Sequence, residues 1–183
     1  MEEKLAKASW FQEAMKKGLI LGVIHIILFL LIYLLIPNKM VSLTYLFIIM
    51  VINISYMIYQ GILWRKKLGG YIEYGEAYKF VFITVIFSAL LHTIFQMIFV
   101  IIDPSFPDMM AQGQLDESIY WAQRMGAPED KLDEVRDKFD FEKMKEQYNF
   151  LGMLKSFGIV IIFNAVLTSI LTLFIRKRQP ETF

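Results

Sequence analysis

The sequence predicts an all-α fold: an integral membrane four-helix bundle with an extracytoplasmic helical segment between spans three and four. Three observations predict it. Leu19–Ile36, Val41–Trp64 and Ser156–Ile175 contain no Asp, Glu, Lys or Arg, and Ala77–Ile102 contains only Lys79, close to its start. A helix needs about 20 apolar residues to cross about 30 Å of hydrocarbon, and each run is near that length or longer. The composition is 56% hydrophobic, and the period-two alternation of barrel strands is missing. Lipid offers no partner to a backbone amide, so such runs must satisfy their own hydrogen bonds as helices. The chain, 1–183, therefore reads as a single membrane domain. Its spans fall at about 18–36, 41–64, 77–102 and 152–175, with a helical insertion at 103–150.

Residues 1–17 form a polar lead. The first run is longer than a signal core and continues into Ile36-Pro37-Asn38-Lys39 without a small-x-small cleavage pattern, so it is expected to be retained as a span. Pro37 lacks an amide donor and stops that helix. The connection Pro37–Met40 is short, which makes spans one and two an antiparallel hairpin. Trp10, Trp64, Tyr71, Tyr74 and Tyr78 gather where amphipathic rings settle, at one interface. After span three, Asp103-Pro104-Ser105-Phe106-Pro107-Asp108 is a turn. A helical stretch over Met109–Met125 follows, closed by Gly126, and Pro128 opens another where its missing donor costs nothing. Leu132, Val135 and Phe139 recur at helical spacing, with a break near Asp140-Phe141 before Met144, Tyr148 and Leu151. The spacing predicts a helical hairpin lying on the outer membrane surface or docked over the bundle.

Charge divides the polar segments into two groups. The lead, the second connection and the tail hold 11 basic against 6 acidic residues, a balance of +5; the first connection and 103–155 hold 8 against 12, a balance of −4. Lys and Arg near span ends stay on the cytoplasmic side. This places both termini in the cytoplasm of a multi-pass protein, in the cell inner membrane.

Few polar residues lie inside the spans. His25 sits about 10 Å along span one and His92 about 22 Å along span three, counting 1.5 Å per residue from each run's start. An offset of about 12 Å would keep the two rings apart and disfavour a shared metal. Ser88, His92 and Gln96 form a stripe at i, i+4 and i+8, expected to face other helices. Asn53 and Asn164 fall near mid-span, where an amide must find a protein partner; each other or a backbone carbonyl are the expected ones. No cysteine is present, which removes disulfides and thiolate chemistry.

The segment Lys67-Leu68-Gly69-Gly70-Tyr71-Ile72-Glu73-Tyr74-Gly75-Glu76-Ala77-Tyr78-Lys79 is the most distinctive. It lacks the Gly-Lys-Ser/Thr ending of a phosphate loop. It reads as a tight re-entry turn in which Glu76 complements the helix dipole and pairs with Arg65 or Lys66. With Ile102-Asp103-Pro104 and Lys17-Gly18-Leu19-Ile20-Leu21-Gly22, this segment resembles a family of small four-span proteins common in Bacteroidetes and catalogued only as a domain of unknown function. The resemblance covers residues 1–178 and implies a four-helix inner-membrane protein with an acidic external segment. It brings no activity with it. The positions it marks for a shared role are Gly69, Gly70, Gly75, Glu76 and Asp103.

Three function classes follow. The first is a non-enzymatic membrane protein acting through helix packing or partner binding. The second, alternative reading is a subunit of a small oligomeric transporter or channel, although no intramembrane carboxylate is present. The third is a membrane enzyme, for which no nucleophile–base pair or metal motif is evident. The expectation is therefore no enzyme activity, no catalytic or metal residue and no cofactor. The expected partners are the lipid bilayer and a homo-oligomer or another membrane protein, without nucleic acid. Gly69, Gly70, Gly75, Glu76, Asp103, His92, Asn53 and Asn164 are the structural or contact positions to examine.

Overall fold

A computed structural model describes residues 2–179, with side chains from Trp10 onward. Glu181, counted in the charge balance, lies outside the described residues. The helices are α1 (Glu2–Leu35), α2 (Leu43–Lys67), α3 (Tyr74–Ile102), α4 (Phe106–Arg124), α5 (Glu129–Lys138), α6 (Phe141–Glu146) and α7 (Phe150–Ile175). Four of them, Trp10–Leu35, Leu43–Lys67, Tyr74–Ile102 and Phe150–Ile175, are long and apolar enough to cross a membrane. The chain forms the all-α membrane bundle that its apolar runs predict.

Local chemistry sets the boundaries. Ile36 (φ −148°, ψ 60°) has left the helical region ahead of Pro37, as proline disfavours that region for the residue before it. Ser42 caps α2 by accepting from Tyr45 N at 3.2 Å. At its far end α2 closes in a Schellman turn: Gly70 N donates to Arg65 O at 3.0 Å and Gly69 N to Lys66 O at 3.2 Å. That turn needs a left-handed residue, and Gly69 (φ +85°) and Gly70 (φ +93°) supply it without a Cβ clash. Asp140 and Asn149 cap α6 and α7 by accepting from Lys143 N and Gly152 N.

The lead residues do not form a separate polar arm. α1 runs unbroken from Glu2, so its first apolar residue is not level with that of α3. α1 and α3 run parallel and close. Gly22 gives the room: a Cβ there would stand 2.9 Å from Leu91 Cδ2. Ala14 O accepts from Thr84 Oγ1 at 3.3 Å. Although the first connection is short, α1 packs mainly on α3 rather than on α2.

Two cores result. At the end carrying the chain termini, Ala14, Met57, Ile72, Phe80, Val81, Leu171 and Ile175 are buried together. At the other end Phe29, Met40, Phe99 and Phe106 form an aromatic core under the cap made by α4, α5 and α6. Phe106 is 0% exposed, with ring centroids 5.5 Å from Phe29, 5.2 Å from Phe99 and 5.4 Å from Tyr148. The cap thus docks over the bundle, and Glu117 Oε1 accepts from Leu43 N at 3.1 Å.

The α2–α7 seam is closed at one end only. Leu46, Met50, Met57 and Gly61 share one stripe of α2; Val160, Asn164, Leu171 and Ile175 share one stripe of α7. In the terminal half Met57 is 0% exposed and Gly61 abuts Ile175, where an added Cβ would stand 2.6 Å from Cδ1. In the cap half the same stripes are open: Leu46 is 54% exposed, Met50 40% and Val160 40%.

Candidate functional site

Between the two cores lies a polar cluster built by three helices. Asn53 Nδ2 on α2 donates to Ile49 O at 2.8 Å and to His25 Nε2 on α1 at 3.1 Å. Both amide hydrogens are thereby used, so His25 Nε2 is the acceptor and its proton sits on Nδ1. That Nδ1 donates to Ser88 Oγ on α3 at 3.3 Å. His92, one turn along α3, sets its ring edge-on to His25 with centroids 6.0 Å apart, and to Phe29 at the same separation.

The expected 12 Å offset between the histidines is therefore wrong. It assumed that both spans begin where their apolar runs begin. Because α1 is helical through the polar lead, Gly18 lies beside Thr84 and Phe87, and His25 comes level with Ser88 and His92. The spacing Gly18-x-x-x-Gly22 is the sequence signal for this close approach. Among the described residues no three His, Asp or Glu side chains converge as a metal site. An Nδ1–H donor cannot accept the Ser88 proton, so in this tautomer the pair is not a serine–base dyad.

Asn164 does not meet Asn53. Its Nδ2 donates to Val160 O of its own helix at 2.8 Å, and the side chain is half-buried in the open half of the seam. Asn53 turns to His25 on α1 and Asn164 to its own helix, so the two amides do not share a partner.

Asp103 is a junction. Its Oδ2 accepts from Tyr33 Oη at 2.6 Å, and its Oδ1 from Ser105 Oγ at 2.6 Å and Ser105 N at 3.0 Å. It ties α1, α3 and the start of α4 together. The Ser105 hydroxyl first, and the Tyr33 hydroxyl next, hold its carboxyl below the ordinary carboxylate range. Tyr33 was not singled out in the sequence, although Phe29 and Tyr33 stand one helical turn apart facing the aromatic core.

The expected pairing of Glu76 with Arg65 or Lys66 does not form. Glu76 and Gly75 are exposed, and among the described residues Glu76 has no ion pair within 4.0 Å. Arg65 turns instead to the end of α7, where Nη1 donates to Ile175 O at 2.7 Å. That carbonyl carries the negative end of the helix dipole, which a guanidinium complements. Lys67 pairs with Glu13 at 2.7 Å. Ile72 and Lys177 exchange backbone hydrogen bonds of 2.9 and 3.1 Å, and Tyr74 Oη lies 2.8 Å from Ser169 Oγ. Gly69 and Gly70 serve the turn that allows these contacts.

The fold and the cluster define a multi-pass helical membrane protein in which His25, Asn53 and Ser88 bond one another across three helices. Residues 16–177 match the family DUF4199, described as a protein of unknown function, and the chain belongs to that family. No curated protein and no solved structure matches it.

Proposed function

We propose that this protein is a non-enzymatic inner-membrane protein that acts by binding a membrane partner through the open half of the α2–α7 seam. The observation that supports this is the change along the two stripes. Met57 and Ile175 are sealed at one end, while Leu46 and Met50 are uncovered on the same face at the other. A bundle that stops packing halfway leaves a helix-sized surface for another membrane segment. Both termini lie in the cytoplasm and the cap lies outside, on the strength of the +5 against −4 partition. Against catalysis, Ser88 is 1% exposed and His25 is already engaged on both ring nitrogens.

Photo-crosslinking from position 50 in native membranes tests the reading. A discrete protein adduct from position 50, absent from the lipid-facing position 173, is expected; equal or no adducts at both would overturn it. Because the chain has no cysteine, Lys67→Cys and Tyr120→Cys report topology cleanly. An impermeant thiol reagent on intact cells should label position 120 and not 67.

A second reading, the subunit of a small transporter or channel, is favoured by the His25–Asn53–Ser88–His92 cluster alone. Proton or solute flux in liposomes that collapses in His25→Ala would establish it and displace the first.

A further inference from the structure

We propose that the open half of the α2–α7 seam is occupied by a second copy of this chain, so that Asn164 of each copy meets Asn164 of the other. The inference rests on the partner-binding reading and names the partner.

The argument begins with an amide that lacks a full set of partners. One N–H of Asn164 is used by Val160 O. Among the described residues, its other N–H and its Oδ1 make no hydrogen bond. Asn164 lies at mid-span on α7, and it shares the stripe of Leu171 and Ile175 that faces α2 in the terminal half. At its own level that stripe is only partly covered, with Val160 and Met50 each 40% exposed. Leucine would suit lipid there; an amide is costly unless another polar group reaches it.

The identity of the occupant follows from symmetry. Two copies inserted the same way around a twofold axis along the membrane normal place identical residues at identical depth. With the axis running beside this stripe, Asn164 faces its own counterpart. A carboxamide has both a donor and an acceptor, so two of them satisfy each other without any further group. An acyl chain offers neither. The flanking surfaces are also suited to helix contact: Val160, Leu46 and Met50 are apolar and uncovered, and the stripe continues directly from the sealed half of the seam. The second copy completes in the cap half the packing that α2 and α7 make with each other in the terminal half.

Oxidative crosslinking in native membranes tests this, since every cysteine would be an introduced one. Disulfides form only where Cα atoms approach within about 7 Å. Val160→Cys or Asn164→Cys should give a linked dimer, and Ile162→Cys and Leu173→Cys on the opposite face should not. Linkage at Ile162 or Leu173 equal to that at Val160 and Asn164, or at none of the four, overturns the proposal. Energy transfer between differently labelled, otherwise unaltered copies in liposomes gives a readout independent of any substitution at the seam. It should fall on dilution with lipid, and should fall at about threefold higher protein density in Asn164→Leu, from the mean strength of an interhelical polar contact. Asn164→Gln should restore it in part. Absence of transfer in the unaltered chain overturns the dimer. If position 50 then still crosslinks to a different protein, the partner-binding reading survives and only the second copy is excluded. If the monomer retains only a lipid in native mass spectrometry, both fall.

Discussion

At the end that carries the termini, Arg65, Lys67, Ile72 and Tyr74 reach across to α7, the tail and α1 through hydrogen bonds, four of them to backbone carbonyls or amides. At the cap end, Phe29, Tyr33, Phe99, Phe106 and Tyr148 pack edge to face, and Tyr33 donates to one carboxylate, Asp103. The terminal end fixes helices by directed polar contacts and by glycine at close approaches. The cap end fixes a helical insertion by aromatic area. Directed bonds leave little freedom in register, so the four helices converge there. Aromatic area tolerates sliding, and on that side Leu46, Met50 and Val160 stay uncovered. The same contrast explains why the α2–α7 seam is uncovered in the cap half and sealed in the terminal half.

The largest effect expected is from Phe106→Ala. A fully buried aromatic ring in a packed core is worth about 3–5 kcal/mol on truncation. The loss should fall on the cap: amide exchange in α4 should accelerate strongly while α3 amides near Thr84 keep their protection. Uniform acceleration along both would mean that the two ends unfold as one unit, and the comparison would break.

Gly61→Val attacks the other end. Its Cβ would meet Ile175 Cδ1 at 2.6 Å, and an overpacked site of this kind costs about 1–3 kcal/mol. Thermal unfolding in detergent should show it, with cap exchange unchanged. A neutral result would mean that the α2–α7 seam is looser in its terminal half than the burial of Met57 indicates.

A smaller, pH-dependent effect is expected at Asp103. Its folded-state pKa is depressed by Ser105 and Tyr33. A depressed carboxylate stabilises the fold above its unfolded value, about 3.9, and the contribution is lost as pH falls through the folded value. Cap protection should therefore be constant near neutrality and decline below about pH 4. Tyr33→Phe removes one donor to the carboxylate, so the decline should be smaller and should be complete at a higher pH. An acid profile identical in the two proteins would show that Asp103 does not hold the cap.

Much of this architecture was legible in the residues, and the part that was not has a common cause. The spans follow from the solvent: lipid forces a run such as Val41–Trp64 to be a helix whatever it packs against. The boundaries follow from local chemistry at Pro37, Gly69, Gly70, Gly126 and Pro128. Register between helices does not follow from either. Placing His25 beside His92 required knowing that the polar lead continues α1 and packs against α3, a property of two segments together. The opening of the α2–α7 seam in the cap half was equally hidden, since both stripes read as uniformly apolar apart from Asn53 and Asn164. The junction of Tyr33 with Asp103 joins residues 70 positions apart, with nothing in the local sequence of either to announce it.

The smallest effect expected is at Glu76, and it sharpens the comparison by what it leaves untouched. Glu76 stands in the first turn of α3, where a negative charge complements the helix dipole by about 0.3–1 kcal/mol at most when exposed. Its neighbour Ala77 is buried, but Glu76 itself is exposed and makes no ion pair among the described residues. Glu76→Gln should then shift stability by no more than about 1 kcal/mol. Arg65→Met, by contrast, leaves the last carbonyls of α7 without their guanidinium and should cost about 1.5–3 kcal/mol, the range for a charge-assisted hydrogen bond. Comparing the two variants by thermal unfolding separates formal charge from geometry. Both residues flank the same glycine turn and both are charged. Only Arg65 is aimed at a helix end. If Glu76→Gln proved as damaging as Arg65→Met in the purified protein, the first turn of α3 would be held by its acid, and the account of the terminal end as a set of contacts directed at α7 and α1 would have to be redrawn.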